Sequence, residues 1–214
     1  MTESPNLELN KATAAAALTE AARHLHLTVL TTFAETGRAP TRANLIRAAD
    51  DNGIVADDAL NELAARDVVV FNDEGEIRAA YPFSPIPTAI RVSWDGGPTV
   101  YSMCAVDALG ISAMLDRPVT IMATEPDTEA TVTVRVDGDK AHWIPESAVV
   151  FAGATDDECC LSVDSTCGHI NFFTTAEAAH TWAADHPEVS GVVLNQTNAL
   201  ACGVAEFASL MHTA

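Results

Sequence analysis

An apolar stretch that contains one carboxylic acid constrains the fold of this chain more than any other feature. Residues 100–115 read VYSMCAVDALGISAML, and the acid is Asp107. The apolar residues roughly follow the period of a helix, so the stretch predicts a buried helix with Ser102 as its N-cap. A buried carboxyl group costs free energy unless it is paired or neutral. The fold must therefore give Asp107 a partner or keep it protonated.

Cys104 precedes Asp107 by three residues, which places both side chains on one face of a helix. In the first turn of that helix, the positive end of the helix dipole favours the thiolate form of Cys104. A single cysteine on an apolar helix is most often a small core residue, which is the simpler interpretation. A neutral carboxyl group beside a thiol is instead a candidate proton donor.

Four segments, in this order, resemble the organomercurial (alkylmercury) lyase family. They are PFSPIPT at residues 82–88, VYSMCAVDALG at 100–110, TCGHINFF at 166–173 and GVVLNQTNAL at 191–200. The Cys-Ala-x-Asp-x-Leu and Cys-x-His-x-x-Phe-Phe elements are together specific, although either alone is weak. The resemblance extends from about residue 10 to the end of the chain.

The resemblance implies a role for three residues. Cys104 and Cys167 fall where the family has its two mercury-binding cysteines, and Asp107 falls on its catalytic aspartate, which would also contact the metal. The implied activity is protonolytic cleavage of a carbon–mercury bond, which yields a hydrocarbon and Hg(II) and detoxifies mercury. No organic cofactor is implied, and a small external thiol or a mercury reductase would accept the Hg(II).

The chain departs from the family in two places. The family often has a second cysteine where this chain has Gly168, and residues 105–158 lack a structural cysteine that many members have. Neither departure affects Cys104, Asp107 or Cys167. Both concern residues that would take part in transferring mercury away from the site.

Two other functions fit the thiols. One is a non-enzymatic protein that binds mercury or another soft metal, for example as a sensor, because soft thiolates select soft metals. The other is a thiol oxidoreductase, which the missing C-x-x-C pair argues against. Five cysteines, an odd number, indicate reduced thiols rather than a disulfide framework.

The remaining metal-ligand candidates are interpreted as structural. Cys159 and Cys160 lack the paired spacing of a zinc site. A buried or surface thiol without a function is the favoured interpretation of both, and a second mercury-binding role is the alternative. Cys202 is predicted to be a core residue of the last helix. His169 is predicted to be a hydrogen-bonded structural histidine, although in a strand it would share a face with Cys167 and could support the metal.

Charge and hydropathy exclude several classes of protein. The formal net charge is −19 with only two lysines, which disfavours binding to nucleic acid or anionic lipid. No apolar run reaches the length of a membrane span, and the first residues lack the basic and apolar parts of a signal peptide. A cytoplasmic location is therefore expected.

Residues 1–80 are predicted to form a winged-helix-like unit. Helices are expected at 11–37, 41–49 and 57–67, followed by a hairpin in which VVVF and EIRAAY flank NDEG. A DNA-binding regulator is the alternative that this shape raises. The unit has seven basic and thirteen acidic side chains, however, so a scaffold is favoured.

Residues 81–214 are predicted to form an α+β catalytic domain that binds mercury. A proline-rich connector at 81–98 contains the strand IRVSW, and strands are expected at 118–123, at 130–136, in AHWIP and in SAVVFAG. A helix at 175–185, the strand GVVLNQ and a helix through Met211 complete the chain. The expected fold is thus a helical winged-helix-like unit packed on a mixed sheet-and-helix region.

Overall fold

The computed structural model describes residues 9–155 and 166–212. Within these ranges the helices are α1 Lys11–Ala16, α2 Glu20–Thr36, α3 Arg42–Asp51, α4 Ala56–Ala65, α5 Ala105–Leu115, α6 Ala176–Asp185 and α7 Gln196–Phe207. The strands are β1 Val69–Phe71, β2 Ile77–Ala80, β3 Phe83–Ser84, β4 Ile90–Ser93, β5 Thr99–Ser102, β6 Val119–Thr124, β7 Thr131–Asp137, β8 Lys140–Ile144, β9 Val149–Thr155, β10 Ile170–Phe173 and β11 Val189–Leu194. No helix in these ranges is both long enough and apolar enough to cross a membrane.

The strands form two antiparallel sheets, which confirms the α+β class. The larger sheet has the order β1-β2-β3-β5-β4-β6-β7-β8, and the smaller has the order β10-β9-β11. The alternation predicted from TVTVRV is confirmed in β7, where Val132, Val134 and Val136 are buried and the residues between them are more exposed. The larger sheet therefore has one face on the core and one towards solvent.

Helix α5 lies at the centre of the molecule. It contacts strands β4, β6 and β7 of the larger sheet, strand β10 of the smaller sheet, and helix α7. Two glycines allow α5 and α7 to touch through their backbones. A Cβ on Gly110 would lie 2.4 Å from the Gly203 carbonyl oxygen, and one on Gly203 would lie 2.7 Å from the Val106 carbonyl oxygen.

The helix predicted at 100–115 begins later than expected. Residues 99–102 form β5, which pairs with β3 and β4, and the helix proper starts at Ala105. The Ser102 hydroxyl does not cap the helix but donates to the carbonyl oxygens of Pro82 (3.2 Å) and Cys104 (3.1 Å). Strand pairing with distant segments has thus prevailed over the helical pattern of the local sequence.

The helix predicted at 11–37 is two helices. Thr19 interrupts it and caps α2, because its side chain accepts a hydrogen bond from Ala22 N–H. Glu62 of α4 accepts hydrogen bonds from both the Thr19 N–H (2.9 Å) and its hydroxyl (2.6 Å), which fixes the break against the fourth helix of this region.

The hairpin predicted after the first helices is confirmed, and it joins the larger sheet. Val69 pairs with Ala80 across β1 and β2, and Ala80 pairs with Phe83 across β2 and β3. The boundary predicted at residue 80 therefore falls between two paired strands of one sheet. One hydrophobic core runs from Leu25 and Phe33 of α2 through Leu109 of α5 to Phe207 of α7.

Candidate functional site

Cys104, Asp107 and Cys167, all identified from the sequence, meet inside the protein. One ligand atom from each of the three side chains lies within 4.8 Å of the other two. Their side chains are 1%, 0% and 3% exposed, respectively. Two sulfur atoms and a carboxyl group thus face one another away from water.

Cys104 is the N-cap of α5 rather than a residue of its first turn. Its backbone is extended, and its Sγ accepts a hydrogen bond from the Asp107 N–H at 3.4 Å. An N-cap side chain normally satisfies an N–H group of the first turn in this way. The predicted proximity of the two side chains is therefore correct, but it arises from capping and not from a shared helix face.

Burial raises the pKa of the Cys104 thiol well above its usual value, and the neighbouring Cys167 and Asp107 raise it further. The helix dipole, which was expected to favour the thiolate, therefore does not outweigh burial in the free protein. The free-energy cost of removing the thiolate charge from water exceeds the stabilisation that the N-terminus of the helix provides. The Cys104 thiol therefore stays protonated at neutral pH until a base removes its proton or a metal binds its sulfur.

Asp107 is poised to exchange a proton. Burial raises its pKa to about 7, although the Cys104 thiol and the Lys11 cation pull the value down. Neither carboxyl oxygen accepts a hydrogen bond of regular geometry within the described part of the chain. Both the protonated and the ionised form are therefore populated near neutral pH, as suits a group that takes and then gives a proton.

Cys167 reaches the site from a 3-10 helix, Cys167–His169, that leads directly into β10. Strand β10 pairs with β9 and contacts α5, which brings the sulfur next to the N-terminus of α5. Gly168 is exposed, and a Cβ built on it meets nothing within 4 Å. A second cysteine at this position would fit without a clash.

His169 does not join the three side chains of the site. It lies in the 3-10 helix and not in a strand, so the predicted shared face with Cys167 does not exist. Cys202, predicted to be a core residue, is instead half-buried on α7 and packs against the edge of the core. Cys159 and Cys160 lie outside the described residues. Cys104, Cys167 and Cys202 are free thiols, as predicted.

Tyr81 is a buried residue whose phenol feels the charges of the site, which the sequence did not reveal. Its side chain is 1% exposed, and its hydroxyl oxygen is buried without a hydrogen bond of regular geometry to any described residue. Burial raises the pKa of this phenol, and the Cys167 thiol and the carboxyl groups of Asp67 and Asp107 raise it further. The sequence places Tyr81 in a connector, and no local pattern shows where its hydroxyl lies.

A partly buried group of charges, with Lys11 at its centre, lies near the site. Lys11, 3% exposed, forms an ion pair with Asp67 (2.7 Å), and its Nζ lies 3.8 Å from the centre of the Tyr81 ring. The Glu206 carboxylate of α7 accepts the backbone N–H groups of Leu9 (3.1 Å) and Lys11 (2.7 Å). Lys11 lowers the pKa of Asp107 and Glu206 raises it, so both charges act on the site.

Comparisons with known proteins identify the family of this chain. A sequence model of the alkylmercury lyase family matches residues 83–208. An alkylmercury lyase of Staphylococcus epidermidis is 30% identical over 122 residues, which is 57% of this chain and 56% of the relative. An alkylmercury lyase of Streptomyces lividans is 26% identical over 152 residues, 71% of this chain and 68% of the relative. The chain thus spans only about half to two thirds of the length of these relatives.

A solved structure has the same fold. A crystal structure described as the mercury-bound form of MerB2 matches with a TM-score of 0.74 and 24% sequence identity, and the match covers 94% of this chain and 96% of that one. The similarity in fold therefore includes the N-terminal helices, which lie outside the region matched by the family model.

Proposed function

This chain belongs to the alkylmercury lyase family, and we propose that it is an organomercurial lyase that cleaves the carbon–mercury bond by protonolysis and so detoxifies organic mercury. One observation carries the proposal: the two thiols and the carboxyl group of Cys104, Cys167 and Asp107 lie within 4.8 Å of one another in a buried site. Such a site holds a soft metal through sulfur and has a proton donor at the same place.

The two cysteines bind the substrate mercury. The substrate is written R–Hg–SR′, an organomercurial that carries a small external thiolate. The sulfur of one cysteine displaces R′S⁻, which leaves as R′SH with the proton of that cysteine. The other cysteine then binds the same mercury and transfers its proton to the ionised carboxylate of Asp107. Two thiolates on mercury push electron density towards the carbon atom of R.

Asp107 completes the reaction. Its carboxyl group donates the proton to that carbon, the electron pair of the C–Hg bond forms the new C–H bond, and RH leaves. Hg(II) stays on the Cys104 and Cys167 sulfurs, with the regenerated Asp107 carboxylate as a third ligand. A group with a pKa of about 7 both accepts and donates a proton near neutral pH. Burial keeps water from competing for that proton.

Turnover needs an acceptor for Hg(II), because two buried thiolates hold it firmly. A small thiol or a mercury reductase fills this role in our proposal, and no organic cofactor takes part. Free thiols at Cys104 and Cys167 are required, which supports a location in the reducing cytoplasm.

The proposal is tested by incubating the protein with phenylmercury and excess thiol and measuring benzene in the headspace. The unaltered protein should release benzene with turnover. Asp107→Ala should bind mercury without releasing benzene, whereas Cys104→Ser and Cys167→Ser should lose both properties. Cys202→Ser is the matched control, because Cys202 is a half-buried thiol outside the site, and it should behave as the unaltered protein.

Two results would change the assignment. Full benzene release by Asp107→Ala would remove Asp107 from the proton transfer. A tight one-to-one mercury complex of the unaltered protein without benzene would make the chain a mercury-binding protein or sensor rather than a lyase.

The N-terminal part, in our proposal, is a winged-helix-like scaffold that does not bind DNA. Helix α4 has Asp57 and Asp58 in its first turn, where a DNA-binding helix would need basic residues. Lys11 and Asp67 of this part form their ion pair beside the site, which supports a role in holding Asp107 and Tyr81. A salt-sensitive complex with DNA in a gel-shift assay would contradict the scaffold role.

A further inference from the structure

His26 is a buried histidine that the proposed lyase mechanism does not use. Its side chain lies on α2 and is 2% exposed, and its Nε2 atom is shielded from solvent without a hydrogen-bond partner among the described residues. Burial lowers the pKa of the imidazole to about 4, so the ring is neutral and carries one N–H near neutral pH. Buried polar atoms nearly always have a partner, so an unpaired one indicates that a partner is missing.

A partner has room to bind, because His26 lines a cavity of about 190 Å³ between α1, α2 and the residues that follow α7. The polar side chains that line this cavity are those of Arg23, His26, Ser209 and His212. Arg23, Ser209 and His212 are exposed, whereas His26 is buried. The cavity therefore opens to solvent at the first three residues and ends at the imidazole of His26.

The chain itself holds the walls of this cavity in place. Glu206 of α7 accepts a hydrogen bond from the Lys11 N–H (2.7 Å), which fixes the start of α1. The His212 Nε2 donates a hydrogen bond to the Ala113 carbonyl oxygen of α5 (3.2 Å), which fixes the segment after α7. A cavity with fixed walls loses little conformational freedom when a ligand binds, and this favours binding.

Arg23 and His26 together suit an anion. They are three residues apart on α2, which places their side chains next to each other on one face of the helix. The Arg23 Nη2 donates to the carbonyl oxygens of Ala16 (3.1 Å) and Leu18 (3.3 Å), which leaves the three N–H groups of Nε and Nη1 for another acceptor. None of the described residues that line the cavity is acidic, although the chain has a net charge of −19. A carboxylate has two oxygens, so one accepts from the guanidinium and the other from the imidazole N–H.

The rest of the cavity is apolar. Three alanines of α1 line it together with Leu27 and Leu210. A water molecule takes about 30 Å³ in the liquid, so the cavity has room for roughly six non-hydrogen atoms. A ligand that suits both parts of the cavity therefore has one carboxylate and a short aliphatic chain.

We propose that this cavity binds a short-chain aliphatic carboxylate, whose oxygens accept hydrogen bonds from the Arg23 guanidinium and the His26 Nε2–H and whose chain lies against the alanines of α1. This binding function goes beyond the proposed lyase activity and requires neither mercury nor the cysteines of the site. The carboxylate supplies the partner that the buried Nε2 atom lacks.

The first test uses the unaltered protein with butyrate as the probe and butyramide, which is similar in shape but uncharged, as the matched control. Protein labelled with ¹⁵N in its histidines is titrated with each compound at neutral pH and constant ionic strength, and the imidazole signals are recorded by NMR. The signals of His26 are assigned by their absence from His26→Phe. Butyrate should shift them until the cavity is saturated, whereas butyramide should not.

Two results of this titration would overturn the proposal. If neither compound shifts the His26 signals, the cavity holds water and no carboxylate. If butyrate and butyramide shift them equally and with equal affinity, the cavity selects an aliphatic chain and not a carboxylate.

The second test compares Arg23→Met with Arg47→Met in the same titration. Both arginines are exposed, but Arg47 lies on α3 and does not line the cavity. Arg23→Met should raise the Kd for butyrate by at least about tenfold, because a charge-assisted hydrogen bond is lost, and Arg47→Met should leave the Kd unchanged. Equal Kd values for Arg23→Met and the unaltered protein would contradict the proposed contact with the guanidinium.

Discussion

Replacement of Asp107 by asparagine should make the protein more stable, and the gain should depend on pH. The carboxyl group has a pKa of 3.8 in the unfolded chain and about 7 in the folded protein, where burial opposes its charge. The unfolded chain thus loses this proton more readily than the folded protein. The contribution of Asp107 to stability is fully present below about pH 4 and is lost as pH rises to about 7.

The two pKa values set the magnitude of the effect. One pKa unit corresponds to about 1.4 kcal/mol, so the free energy of unfolding falls by about 4 kcal/mol across this range. About 2.6 kcal/mol of the loss falls between pH 5 and pH 8. Asparagine is similar in shape but does not titrate. The stability of Asp107→Asn relative to the unaltered protein should therefore increase by about 2.6 kcal/mol between these two pH values.

Urea denaturation of both proteins at pH 5 and pH 8, without metal, measures this difference. The comparison of the two proteins at each pH cancels other titrations. Among these is that of His26, whose pKa burial lowers to about 4, so that its contribution to stability is lost as pH falls below 6.5. A gain that is equal at both pH values, or larger at pH 5, would refute the claim that Asp107 is buried with a raised pKa.

Four further predictions follow from the geometry. Gly203→Ala should lower the free energy of unfolding by at least about 2 kcal/mol in urea denaturation, because its Cβ would lie 2.7 Å from the Val106 carbonyl oxygen. Thr19→Ala should lower it by about 1 kcal/mol through loss of the α2 cap. Lys11→Met should raise the titration midpoint of Asp107 above about 7, measured by ¹³C NMR of labelled aspartate, because a favourable positive charge is removed. Gly168→Cys should speed transfer of Hg(II) to external thiol, measured by stopped-flow absorbance, and leave the yield of a single turnover unchanged, since the position has room for a side chain.

Local sequence patterns predicted those elements whose stabilising interactions are themselves local. Strand β7 follows from its alternating valines, and α3 follows from Thr41, whose side chain accepts the Asn44 N–H as an N-cap. The link between Cys104 and Asp107 also follows from a spacing of three residues, although it arises through a cap rather than a shared face. Such patterns reflect interactions between residues that lie close together in the sequence.

Interactions between distant segments decided the remaining features. Residues 99–102 have an apolar pattern that also suits a helix, but pairing with β3 and β4 makes them a strand. The meeting of Cys167 with Cys104, expected only through the resemblance to a family, depends on β10 lying against both β9 and α5. The break at Thr19 depends on Glu62, which is 43 residues away.

The sequence by itself determined that this chain has an α+β composition of elements, a carboxylic acid within an apolar helix and two cysteines in motifs of one enzyme family. Only the tertiary structure decided that Asp107 has a pKa of about 7 and that Cys104 keeps its proton. The reason is physical. A pKa depends on how much water and which charges surround a group, and these are set by every segment packed around it rather than by its neighbours in the chain.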